Sequence, residues 1–312
     1  METLSFSPDQ VLELGIFAKT FRRPCIEEVF DAIASSGLSC TQWNWACVPG
    51  FSSLPEEVPV EITRSVTRAA ALSGVRICAV SATFNLIQPL ALEAGLSRLP
   101  VLAKAATDVG CDLLTLCTGT RHPTDMWTYH ADNHSLEAWN DMVKGLRMAI
   151  RIASRYGVRL AIEPETANVI CDAPTAERVL HELDPDGQVL SIILDAANLY
   201  RPPRDPRTET GIIDDAVERL GRHISLTHAK DIADPYTTTP SGLVSSHYTH
   251  VAAGTGILPY PHYLTALMRT PAAYAAATSG KRLPLILHGL GEEQVPASIA
   301  FLRESMCTVS PV

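Results

Sequence analysis

Four short apolar runs in this chain end in side chains that bind cations or move protons: Ile162-Glu163-Pro164-Glu165, Leu194-Asp195 with Asn198 close behind, Thr227-His228 with Lys230 and Asp231, and Leu287-His288-Gly289. In each run the polar group stands where a buried strand would continue in Val or Leu. Alone, a strand-end Asp usually caps the following helix and a lone His is usually a satisfied core residue. Four of them at matching strand ends point to a shared task. Two carboxylates and two imidazoles (Glu163, Asp195, His228, His288) form a four-ligand set suited to one divalent cation, Mn²⁺ first and Co²⁺, Zn²⁺ or Mg²⁺ as alternatives. Glu165 lies two residues beyond Glu163, so strand alternation turns both the same way. That makes Glu165 a candidate acid or base beside the ligands.

For these residues to meet, their strands must be neighbours. Strand-like runs fall at Leu12–Phe17, Cys40–Trp45, Val75–Ala82, Leu113–Thr118, Arg159–Glu163, Leu190–Asp195, His223–His228 and Leu283–His288. Helical patterns follow each in turn, near 24–36, 57–73, 97–109, 135–156, 174–183, 211–221, 259–270 and 292–304. The 135–156 segment is the clearest, with Leu136, Trp139, Val143, Leu146, Ile150 and Ala153 at three- and four-residue spacing between an N-capping Ser135 and a terminating Gly157. Regular β/α alternation implies parallel strands joined by right-handed crossovers, and eight units imply an α/β fold closed as a single (β/α)8 TIM barrel. No Gly-x-Gly-x-x-Gly follows the first strand, which disfavours a dinucleotide-binding sheet. No linker divides residues 1–312, so one domain is expected. The long loops at 119–134, 200–207 and 230–257 follow strand C-termini, the face where barrels carry their sites.

Composition narrows the function. With 25 Lys+Arg against 34 Asp+Glu, the formal charge of -9 argues against nucleic acid, whose phosphates call for a basic face. No apolar run approaches the roughly 18 residues of a spanning helix. The first ten residues show no basic segment leading into an apolar core, so a cytoplasmic location with no membrane partner is expected. The eight cysteines form no CxxC pair and read as reduced thiols.

At this point the chain resembles the sugar phosphate isomerase/epimerase group of the xylose isomerase-like barrels, from about Leu14 to Leu302. The resemblance rests on Glu163, Asp195, the His228-x-Lys230-Asp231 run and the closing strand, with Phe84-Asn85-Leu86-Ile87 and Cys117-Thr118-Gly119-Thr120-Arg121 alongside. It implies a metal held by Glu, Asp, His and a second Glu, on positions matched here by Glu163, Asp195 and His228. It also implies proton abstraction next to the metal-polarised carbonyl of a ketose or keto-sugar, through an enediolate, with isomerisation or epimerisation as the result. Two departures stand out. His288 occupies the place of the second Glu, with Glu292 and Glu293 lying further on in the next helix, and Asn198 stands where many epimerases carry His. His288 is thus a candidate ligand or a second acid/base.

Loss of the symmetric Glu pair keeps a second reaction open: a metal-dependent lyase that cleaves 3-keto-glycosides by elimination. A non-catalytic sugar-binding barrel and an endonuclease IV-like phosphodiesterase rank below these, the latter because it needs extra ligands and a basic groove. Lys230 reads as a catalytic orienter and Asp231 as a hydroxyl ligand, against a plain loop salt bridge. Asn85, Arg121, His122, Trp127 and Asn198 are candidate substrate contacts around the mouth, with Trp127 placed to stack on a sugar ring. Gly254-Thr255-Gly256 is too weak a signal for a phosphate site. The expected partner is a small sugar or keto-sugar, and the expected assembly, if any, a homodimer.

Overall fold

A computed structural model describes residues 5–200, 209–233 and 248–311. Eight parallel strands close on themselves: β1 (Leu12–Phe17), β2 (Cys40–Trp43), β3 (Arg76–Ser81), β4 (Leu113–Leu116), β5 (Arg159–Ile162), β6 (Leu190–Asp195), β7 (Ile224–Ala229) and β8 (Leu283–Leu287). Each pairs with its neighbours in sequence, and β1 meets β8 through Leu12↔Leu283 to Ile16↔Leu287. The ring of helices is α1 (Ile26–Ser35), α2 (Val60–Ser73), α3 (Pro89–Asp108), α4 (Leu136–Tyr156), α5 (Ala173–Leu183), α6 (Glu209–Leu220), α7 (Tyr260–Met268) and α8 (Val295–Cys307). This is the (β/α)8 barrel the alternation implies. The strands are buried on both faces, which is why they read as near-continuous apolar runs.

Local signals set most boundaries. Ser135 accepts the Ala138 N–H, and Gly157 ends α4 at φ 66°, a conformation that costs other residues a steric clash. Helix α3 departs from expectation, starting at Pro89 rather than near 97. Pro89 sits at its first turn, and Phe84 lies against the bare face of Gly95, where a Cβ would stand 2.1 Å from the ring. That packing outweighs the weak local signal and carries Pro100 inside the helix. The 259–270 pattern stops at Met268, because Thr270 caps a separate helix, Pro271–Thr278, with Pro271 at its start.

Ladder pairing ends at Trp43, Ser81, Leu116 and Ile162, short of the expected strand ends. The residues just beyond are the mouth. Over it lies a two-stranded antiparallel ribbon, Asp231–Ile232 with His250–Val251. Residues 201–207 and 234–247 of the expected mouth loops lie outside the described residues. Six of the eight cysteines are buried. No helix among the described residues is long and apolar enough to cross a membrane.

Candidate metal centre

Asp195 and His228 are direct partners in the β6–β7 ladder, so both point into the barrel at one level, and Glu163 follows the end of the adjacent β5. One ligand atom from each of the three lies within 4.8 Å of the others. His228 Nδ1 is 3.1 Å from Glu163 Oε1 and 3.7 Å from Asp195 Oδ2. Asn198 donates to Glu163 Oε1 at 2.8 Å, while its own carbonyl oxygen accepts from the Lys230 ammonium at 2.6 Å. Lys230 Nζ also lies 3.0 Å from Asp195 Oδ2 as an ion pair. Tyr263 on α7 secures the strand ends from behind, its hydroxyl donating to the Leu194 and His228 carbonyls at 2.9 and 3.2 Å.

The donor set fits a divalent cation. Asp195 Oδ1 accepts the Ala197 N–H, and Oδ2 is buried with the Lys230 ammonium at 3.0 Å and His228 Nδ1 at 3.7 Å, so two carboxylates and an imidazole nitrogen converge on one buried point where a cation would share their charge. Glu163 Oε1, Asp195 Oδ2 and His228 Nδ1 would hold such an ion.

Charges in the cluster are strongly coupled. Burial raises the Asp195 carboxyl, but the Lys230 ammonium and His228 outweigh it and hold it below the ordinary carboxylate range. Glu163 is likewise lowered, burial being outweighed by His228. Burial lowers His228, yet Glu163 and Asp195 raise it to about 9. Glu165 goes the other way: burial raises its carboxyl to about 7, with Lys230 opposing and Glu163 adding. That gives a carboxyl group able to take or give a proton near neutrality beside the Glu163, Asp195 and His228 cluster.

His288 stacks flat on His228, with ring centroids 4.6 Å apart and planes 6° apart, and on its other side meets Phe17 at 4.9 Å. Its Nδ1 is buried without a hydrogen bond, and burial, then His228 and Lys230, lower its pKa to about 3, so the ring is neutral. It borders the three-ligand group without joining its 4.8 Å set.

The structure uses several other candidates to build the mouth loops. Asn85 donates to the Thr120 carbonyl and accepts the Ile87 N–H. Arg121 pairs with Asp141 at 2.5 Å and donates to the Ile87 carbonyl. His122 Nδ1 accepts the Asp125 N–H. Asp231 accepts four backbone N–H groups, from Ile232, Gly254, Gly256 and Leu258, and a Cβ at Gly256 would come within 2.3 Å of its Oδ1. Gly254-Thr255-Gly256 therefore folds around this carboxylate. Trp127 is 55% exposed on the β4 loop, available to a ligand.

Two site residues escaped the sequence reading. Gln42, on β2, places Oε1 2.9 Å from His228 Nε2. His250, on the ribbon, bonds the Ala197 backbone, and Lys230, Asp195 and Glu163 all act on its charge. Polarity at the end of an apolar run was the available signal for Gln42. His250 had none, because the long β7 loop conceals its return to the mouth.

Residues 30–304 match the family described as Xylose isomerase-like TIM barrel. Among solved structures, the chain is similar to 3-keto-D-glucoside 4-epimerase from E. coli, at 17% identity and TM-score 0.63, covering 94% of this chain and 99% of that one. It is similar to the probable 3-DHS dehydratase of petrobactin synthesis from Bacillus anthracis, at 15% identity and TM-score 0.67, covering 94% and 98%. It is also similar to a xylose isomerase-like TIM barrel protein from Mycobacterium smegmatis in complex with magnesium, at 12% identity and TM-score 0.65, covering 97% and 98%. None of the curated proteins compared with the chain matches it. Likeness at these identities concerns the fold.

Proposed function

The chain belongs to the xylose isomerase-like TIM barrel family, and from that premise we propose that it is a divalent-metal-dependent isomerase or epimerase moving a proton next to the carbonyl of a ketose or keto-sugar. The observation that carries this reading is the convergence of one ligand atom each from Glu163, Asp195 and His228 within 4.8 Å, with the Glu165 carboxyl raised to about 7 beside them. A bound cation, Mn²⁺ by preference, supplies Lewis-acid polarisation of the substrate carbonyl. The remaining roles fall to the chain. Glu165 takes the proton from the carbon next to the carbonyl, since its carboxylate is substantially populated at pH 7. Lys230 keeps Asp195 ionised and holds Asn198, which orients Glu163. Glu165, once protonated, can give the proton back to the enediolate, and His288, neutral and at the same mouth, contacts a substrate hydroxyl. Trp127 offers an apolar wall to the sugar.

The test is solvent exchange. Protein loaded with Mn²⁺ is incubated in D₂O with ketoses, inososes and 3-keto-glycosides, the manganese is stripped, and proton NMR follows deuterium at the carbon next to the carbonyl. Exchange with at least one substrate, lost in Glu165→Gln, supports the reading; no exchange across the panel refutes it. With no second carboxylate opposite it, Glu165 also suits elimination, acting as base and, once protonated, as the acid for the leaving group. Release of the aglycone from 3-keto-glycosides in the same tubes would select the lyase.

A further inference from the structure

The way β2 meets β7 across the barrel carries an inference about which nitrogen of His228 is free to bind a cation. Trp43 stacks on Phe30 of α1, with centroids 5.1 Å apart, so it faces outward and the preceding Gln42 faces the barrel interior. A register shift against β3 falls between Thr41 and Gln42 and re-aims the Gln42 side chain. Its amide is buried and fully engaged: Nε2 donates to Ser81 Oγ on β3 at 3.2 Å and to Thr115 Oγ1 on β4 at 3.4 Å, and Oε1 faces His228 Nε2 at 2.9 Å.

An amide oxygen carries no hydrogen, so it can only accept, and the imidazole nitrogen facing it must carry one. A neutral imidazole has a single N–H; placed on Nε2, it leaves the lone pair on Nδ1. Nδ1 is the nitrogen turned to Glu163 and Asp195. The His288 ring, nearly parallel at 4.6 Å, hinders His228 from flipping about its Cβ–Cγ bond, which would turn the carbons Cδ2 and Cε1 toward these partners in place of the nitrogens. We propose that Gln42 is a positioning residue that fixes His228 as the Nε2–H tautomer and so presents Nδ1 to the metal. The proposal rests on the metal reading of this site. It assigns a role to a strand residue far from the other ligands in sequence, and it predicts that the amide matters through its oxygen.

The experiment uses full-length protein loaded with Co²⁺ for proton NMR and with Mn²⁺ for calorimetry. In Co²⁺ protein, selective ¹⁵N labelling of histidine should show one hyperfine-shifted N–H on Nε2 of His228, present in H₂O and lost in D₂O. Gln42→Met, which keeps the volume and removes the acceptor, should weaken Mn²⁺ binding about 10–100-fold. Gln42→Glu, which keeps an acceptor oxygen, should restore the affinity to within about threefold of wild type or better. Coordination through Nε2 in the wild type, or Gln42→Met binding as tightly as wild type, overturns the proposal while leaving the metal site standing. Wild-type protein that binds neither ion overturns both. Should Gln42→Met fail to fold, the wild-type tautomer decides.

Discussion

Loading the centre with a cation must expel a proton, and the size of that effect follows from the cluster. In the metal-free protein His228 is held to about 9 by Glu163 and Asp195 against the cost of burial. A cation needs the Nδ1 lone pair, so it binds the form that is deprotonated there. Because the pKa is raised, that form is scarce at low pH and affinity grows as pH rises. At pH 7, about two units below the pKa, the penalty is about 100-fold, or about 3 kcal/mol, and it vanishes above pH 9. Near pH 8 Glu165, at about 7, is already mostly ionised and contributes little. Calorimetric titration with Mn²⁺ at pH 8, in two buffers of different ionisation enthalpy, should therefore report release of about one proton per ion. The apparent Kd should fall roughly tenfold per pH unit between 7 and 8.5. His228→Gln should bind more weakly and without the buffer dependence. Wild-type binding with no proton release would refute the assignment of His228 as a ligand.

Three further outcomes are expected. Glu165→Gln should lower deuterium exchange by about 10²–10⁴-fold, and wild-type kcat/KM should rise with pH to a plateau above about 7, since the deprotonated carboxylate is the active form; a flat profile would contradict that role. Asp231→Ala should lower the thermal midpoint, because four backbone N–H groups lose their shared acceptor, each buried donor left unpaired costing about 1–3 kcal/mol; an unchanged midpoint with altered KM would favour a substrate contact instead. The neutral His288 ring, depressed to about 3, stabilises the fold at and above the unfolded value near 6.5 and loses that contribution as pH falls toward 3. Metal-free His288→Phe should therefore show a shallower acid-side fall in thermal midpoint than wild type, and parallel curves would count against a buried neutral ring.

The barrel and the cluster of Glu163, Asp195 and His228 were legible because both are written as local patterns. Apolar runs alternate with helical spacing, and Glu163, Asp195 and His228 interrupt those runs where the ladders end. What escaped depends on contacts between distant segments. The start of α3 is set by Phe84 packing on Gly95, and Gln42 acquires its role only when β2 and β7 face each other across the barrel. Asp231 reads as a substrate ligand next to His228, yet Gly254 and Gly256, more than twenty residues away, turn it into a loop anchor. Arg121 similarly looks free in sequence and is claimed by Asp141 on the next helix.

The central claim, that Glu163, Asp195 and His228 hold one divalent cation, is tested most directly by anomalous diffraction from crystals grown with Mn²⁺. The account predicts a single strong peak bounded by Glu163 Oε1, Asp195 Oδ2 and His228 Nδ1, absent from Asp195→Asn crystals. No peak there at millimolar Mn²⁺, or a peak held by other side chains with Lys230 still paired to Asp195, would contradict it.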